Sequence, residues 1–266
     1  MSPALLSGIA AVLYLAAAGD EVRQFLQRAP NRRRWFVGLT GLGLAVHWLA
    51  ASLAMGLFNP VWSFSLGTVI SLTASMVALS VLYLRWRQPV NLALMPLLTL
   101  IALVTAVAML SPSQGRQVTS SMGIGMHVVL SLGAFAILLI AGVQAILLGW
   151  QNRALKTHQV RLLGLLPPII RMERMLFDLI TLGFITLTLA LASGWWFVDD
   201  LFAQHLAHKT LLSLIAWGIF AGLLTGRRLY GWRGFTAAAW ALSGIAVLTI
   251  GTLGTKIILE VILERI

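Results

Sequence analysis

Apolar runs of about twenty residues recur along almost the whole of this 266-residue chain, and they decide its solvent. A run of that length, wound as a helix, crosses about 30 Å of hydrocarbon. Eight spans can be read, over roughly residues 3–19, 36–56, 62–84, 91–110, 127–149, 178–198, 208–225 and 235–257. The expected fold is therefore all-α, a polytopic membrane helical bundle. Only 10% of the residues are charged, against about 25% in a soluble domain. No hydrophilic stretch is long enough to fold alone, so residues 1–266 read as a single membrane domain.

The net charge of +11 raises the question of a nucleic-acid partner, and the placement of the charges answers it. Fifteen of the nineteen basic residues fall in alternate loops, the exceptions being Arg116, Lys209, Lys256 and Arg265. By the positive-inside rule the crowded side faces the cytoplasm, and both termini then face outward. The basicity expresses orientation and contact with lipid headgroups, with no nucleic-acid role. No basic residue precedes the first apolar run, and no clean cleavage site follows it, so it reads as a retained span. The absence of cysteine excludes disulfides, thiol relays and thiolate ligation of haem or zinc.

Two loops are longer than a hairpin needs. Residues 111–126 are polar and Gly/Ser-rich on the outer side. Residues 150–177 mix basic side chains with Leu and Ile, which predicts an interfacial amphipathic segment broken at Pro167-Pro168. Glycines in "GLTGLGLAVH" and "GLLTG" predict close helix approach.

Ionisable groups at membrane depth are costly, so each one calls for a role. No Asp or Glu lies in the middle of a span as drawn, which leaves a proton-coupled carrier without its carboxylate relay. His47 stands about midway through the second span. It reads either as a hydrogen-bond partner of a neighbouring helix or as a metal or haem ligand. His127 opens the fifth span, with Ser131 one turn on along the same face. His205 and His208 share a face if the seventh helix begins early, although HxxH alone is a weak metal signal. His158 reads as solvated, and Asp199 and Asp200 as accessible loop acids. Trp195 and Trp196 end the sixth span, where an aromatic belt belongs. Together the outer histidines and aromatics have the chemistry of a haem site at a membrane edge.

Four segments, "HVVLSLGAFAILLIAGVQAILL", "HKTLLSLIAWGIF", "YGWRG" and "GTLGTKIILE", carry a resemblance. Over about residues 120–260 the chain resembles the cytochrome c assembly membrane proteins, the haem-handling group of CcsA and CcmC. Within it the chain is most similar to the short YpjD-like branch. The resemblance implies haem bound at the outer surface by histidines flanking a Trp-rich segment, and a second pair of membrane histidines along its route. His127 matches the first external histidine and His47 the first membrane one. Thr225 stands where a membrane histidine is expected, and "IILEVILERI" has no second external histidine. His208 or His205 then substitutes as ligand, with Trp195, Trp196 and Trp217 as the aromatic set.

On this reading the chain is a handler of haem b, not a catalyst, in a bacterial inner membrane. Its partners are membrane lipids, haem, an apocytochrome c and other cytochrome assembly proteins. The alternatives are a scaffold or accessory subunit without haem, and a transporter of small solutes or lipids.

Overall fold

The structure, a computed structural model, describes residues 2–27, 33–57, 59, 61–87, 95–108, 116–119, 121–157, 168–197 and 204–254. Its contacts gather into two compact units, the first ending at Ser120 and the second starting at Ser121.

The first unit holds α1 (Pro3–Gln27), α2 (Arg33–Met55), β1 (Val61–Phe64), α3 (Leu66–Arg87), α4 (Met95–Ala108) and β2 (Arg116–Thr119). Its four helices close a ring: α1 packs on α2 and α4, and α3 packs on the same two. Small side chains let α1 and α2 approach closely. Ala17 and Ala18 are buried, and a Cβ on Gly43 would press on the Tyr14 ring at 3.1 Å. Gly38 and Gly41 of the same glycine-rich run face open space, so close approach explains only Gly43.

The second unit is also a four-helix ring, of α5 (Met122–Lys156), α6 (Ile169–Phe197), α7 (Gln204–Tyr230) and α8 (Gly234–Thr249). A π-helical turn, Ile250–Gly254, extends α8. Its core runs through Phe135, Leu138, Leu148, Leu176, Ile180, Phe220, Leu223 and Ile245. Ser121 caps α5 by accepting the Ile124 N–H at 3.2 Å. The "YGWRG" turn joins α7 to α8, with positive φ at Gly231 and Gly234. There the N–H groups of Gly231 and Trp232 return to the carbonyls of Arg227 and Gly226. The Trp232 ring lies against Gly226 and is flanked by Tyr230 and Trp240.

Among the described residues seven helices are long and apolar enough to cross a membrane, which makes the chain a polytopic helical membrane protein. The described part of α4, fourteen residues, is shorter. Four expectations need correction. Residues 62–64 belong to a strand, not to the third span, and pair antiparallel with part of the polar loop 111–126. Pairing satisfies their backbone groups outside a helix. Residues 150–156 continue α5, and residues 169–177 are the first turns of α6. The separate interfacial segment is therefore absent from those residues, of which Ala154, Met172, Leu176 and Phe177 are buried while Trp150, Leu155 and Ile170 stay exposed. Residues 158–167, with His158, lie outside the described residues.

The last two corrections concern charge. Arg85, expected in a cytoplasmic loop, is buried in the last turn of α3. Glu21, expected just beyond the first span, is buried within α1, which runs on to Gln27. Arg85 Nε donates to Glu21 Oε1 at 2.9 Å, and its guanidinium lies 5.5 Å from the Phe36 ring centroid. Pairing, together with the aromatic face, is what makes two buried charges tolerable.

Candidate functional site

The site candidates of the second unit gather where α5 begins, α6 ends and α7 begins. His127 lies in the second turn of α5 because capping by Ser121 starts that helix before it. Its Nδ1 is 3.1 Å from the Ala190 carbonyl oxygen and 3.1 Å from Ser193 Oγ, both on α6. A carbonyl can only accept, so Nδ1 carries the proton and donates. Ser193 Oγ also donates to the Ala190 oxygen, at 2.8 Å, which holds the acceptor group in place.

The neutral imidazole then has its lone pair on Nε2. The Ser131 hydroxyl stands 3.5 Å from Nε2, the outer limit of a hydrogen bond. An Nδ1–H locked on a backbone carbonyl, with a weakly engaged Nε2, is the arrangement typical of metal-ligating histidines.

Trp195 and Trp196, in the last turn of α6, are 72% and 81% exposed, so neither ring is held by the unit's own core. Phe197 beside them packs where a Cβ on Gly123 would stand, joining the end of α6 to the start of α5. His208 is exposed in the second turn of α7. The helix does begin early enough to include His205, whose side chain lies outside the described residues, as do Asp199 and Asp200.

Trp217 is placed differently. Its ring stacks on Phe184 at 5.4 Å, and its Nε1–H donates to Thr188 Oγ1 at 2.9 Å. Thr188 and Ala190 are two residues apart, about 200° around a helix. His127 and Trp217 therefore hold different faces of α6. The structure does not bring this ring to the imidazole.

In the first unit His47 is fully buried. Its Nε2 is 2.8 Å from Ser71 Oγ on α3, and its Nδ1 is 3.3 Å from the Tyr14 hydroxyl on α1. Both nitrogens are occupied, which is the helix-to-helix hydrogen bonding that the sequence offered as one of two readings. A ligand role would require breaking one of those bonds in the core. Among the described residues no three of His, Cys, Asp and Glu converge as a metal site.

The sequence matches the family described as cytochrome C assembly protein over residues 33–263, which includes both histidine settings. The chain belongs to that family. Among its relatives is the inner membrane protein YpjD of Escherichia coli K12, 30% identical over 171 residues. That match covers 64% of this chain and 65% of YpjD, so slightly less than two thirds of the relative is spanned. An Azospirillum brasilense relative, described as an uncharacterized 28.8 kDa protein in the nifR3-like 5'region, is 28% identical over 247 residues. Here the match covers 89% of each chain. No solved structure matches. The cytochrome c assembly family member thus combines two helical units with a His127 imidazole whose second nitrogen has only a marginal partner.

Proposed function

We propose that this chain is an inner-membrane haem-handling protein that assists c-type cytochrome assembly. One observation carries the reading. Nδ1 of His127 is committed to the Ala190 carbonyl, and Nε2 has only a hydroxyl at 3.5 Å. The donor set fits haem b: a neutral imidazole of fixed tautomer, with exposed Trp195 and Trp196 at the same end of the unit to cover a porphyrin face. His208 is the second axial candidate. His47, with both nitrogens bonded, serves the packing of the first unit and is left out of the haem set.

The Lys/Arg asymmetry supports a periplasmic location for this end, and for both termini. The relative's description as an inner membrane protein supports the compartment. On this reading haem is cargo: the chain binds and orients it, an apocytochrome c receives it, and partner proteins supply the thiol chemistry that a chain without cysteine lacks.

The test is the visible spectrum of purified protein, oxidised and reduced, for wild type, His127→Ala and His208→Ala. A Soret band with low-spin α/β features, lost in either variant, is the expected result. A wild type without a Soret band after haemin supplementation rejects the reading. The non-haem scaffold then takes its place, with Ser131 as the resident partner of His127.

A further inference from the structure

The seam between α5 and α8 ends, on the side of the second unit opposite His127, where α5 finishes and α8 starts. Two contacts fix how these helices lie together. A Cβ on Gly142 would meet Ile245 Cδ1 at 3.0 Å, and one on Gly234 would meet Asn152 Nδ2 at 3.4 Å. Passing from Gly142 up to Asn152 on α5 therefore matches passing from Ile245 back to Gly234 on α8. The helices are antiparallel, and Gly149 comes level with Ala238.

Gly142, Gly149 and Lys156 are seven residues apart, about two turns, so they share the stripe of α5 that faces α8. Their settings differ. Gly142 is filled by Ile245, whereas a Cβ on Gly149 would meet nothing. Lys156, four residues after Asn152, stands about 6 Å further along α5 and so beyond the start of α8. The seam is thus notched at Gly149, with a cation past its end.

The rim of the notch mixes apolar and charged groups. In two antiparallel right-handed helices, the residue after a seam position turns to the same side on both. Ile146, Trp150 and Arg153 follow Ala145, Gly149 and Asn152 on α5, and Phe235 follows Gly234 on α8. All four are exposed. Arg233, at the N-cap of α8, is exposed as well. The carboxylate beside it is Glu173, 3.7 Å from Arg233 Nε and already accepting the Gly234 N–H at 2.7 Å. Arg153, Lys156 and Arg233 therefore outnumber the acid at the mouth of the notch.

We propose that this notch binds an anionic phospholipid. Its phosphate diester is held among Arg153, Lys156 and Arg233, its glycerol lies against Gly149, and its chains run over Ile146 and Phe235. Cations standing directly above exposed apolar side chains, on helices that cross the membrane, match a phosphate carried on hydrocarbon better than a soluble anion. Trp150 occupies the level between them, where an indole suits the headgroup boundary. A zwitterionic headgroup brings a cation of its own, which the three basic side chains repel, so the site prefers phosphatidylglycerol to phosphatidylcholine.

The experiment follows thermal unfolding of the full chain in an uncharged detergent, titrated with phosphatidylglycerol, phosphatidylcholine or glycerol phosphate. Wild type should melt at a higher temperature with phosphatidylglycerol, saturably, and respond less to the other two. Lys156→Ala and Arg153→Ala should each raise the half-saturating phosphatidylglycerol concentration about fivefold. Gly149→Leu, which fills the notch from a position where a Cβ meets nothing, should melt no lower than wild type without lipid and lose the response. Arg171→Ala, on the side of α6 turned away from Glu173, should keep it. Equal stabilisation by phosphatidylcholine, or by glycerol phosphate, overturns the proposal. So does Arg171→Ala weakening the response as much as Lys156→Ala, or a Gly149→Leu protein with the wild-type half-saturation.

Discussion

Glu173 Oε1 accepts the backbone N–H of Gly234 at 2.7 Å, so a side chain of α6 caps α8. Arg233 occupies the N-cap position and makes no side-chain cap bond of its own, which is why the cap has to come from another helix. The same carboxylate lies 3.7 Å from Arg233 Nε, whose side chain is largely exposed.

The two contacts of Glu173 separate by mutation. Glu173→Ala should cost about 1–2 kcal/mol, the worth of an N-cap bond. Arg233→Ala should cost less than about 0.5 kcal/mol, as exposed ion pairs do. Thermal unfolding of the purified protein in detergent measures both. Equal losses would mean that the ion pair, not the cap, matters.

Gly226 and Gly38 make opposite predictions for the same substitution. A Cβ on Gly226 meets the Trp232 ring, which also packs on Tyr230 and Trp240, so Gly226→Ala should destabilise by about 1–3 kcal/mol. Gly38→Ala meets nothing and should stabilise α2 by up to about 1 kcal/mol. Melting temperatures moving the same way in both variants would refute the packing argument.

Removing one member of the Glu21–Arg85 pair leaves the other charged and buried. Arg85→Ala should therefore cost about 3–5 kcal/mol, while the double change Glu21→Leu, Arg85→Met should recover most of it. A double variant no better than the single would show that the pair does not act as a unit.

Around His127 the two serines should act in opposite directions. Ser131→Ala clears the approach to Nε2, so haem occupancy read from the Soret band should equal or exceed that of wild type. Ser193→Ala removes one of the two groups that hold Nδ1, and haem affinity should fall by about tenfold. A fall in both variants, with unchanged melting, would argue against Nε2 as the ligating atom.

The span pattern is legible in the sequence because lipid leaves little alternative to apolar helices. What escaped it lay at span ends. Asp20-Glu21 and Arg85 look like the start of a loop when hydropathy is read alone, since it registers the charge and not the partner across the ring. The ribbon strands "VWSF" and "RQVT" are four residues each and carry no sustained alternation, so only their pairing makes them strands. The turn-on spacing of His127 and Ser131 was visible, whereas the Ala190 carbonyl that sets the tautomer was not. Backbone acceptors on another helix leave no mark in a sequence. Trp217 joins Trp195 and Trp196 in the sequence through the family's Trp-rich segment, and its stack on Phe184 and bond to Thr188 are what the structure adds.

The second unit's ring closes through α8 against α5, and this has a consequence for synthesis. α5 is made first and α8 last, so Gly142, which receives Ile245 in the finished ring, lacks that partner until the fourth helix of the unit has been made. The cap on α8 is also waiting: Glu173 is made well before the Gly234 N–H it will accept. A ribosome still holding α8 therefore has beneath it three helices that already carry His127, Trp195 and Trp196, but with one side of the ring still open.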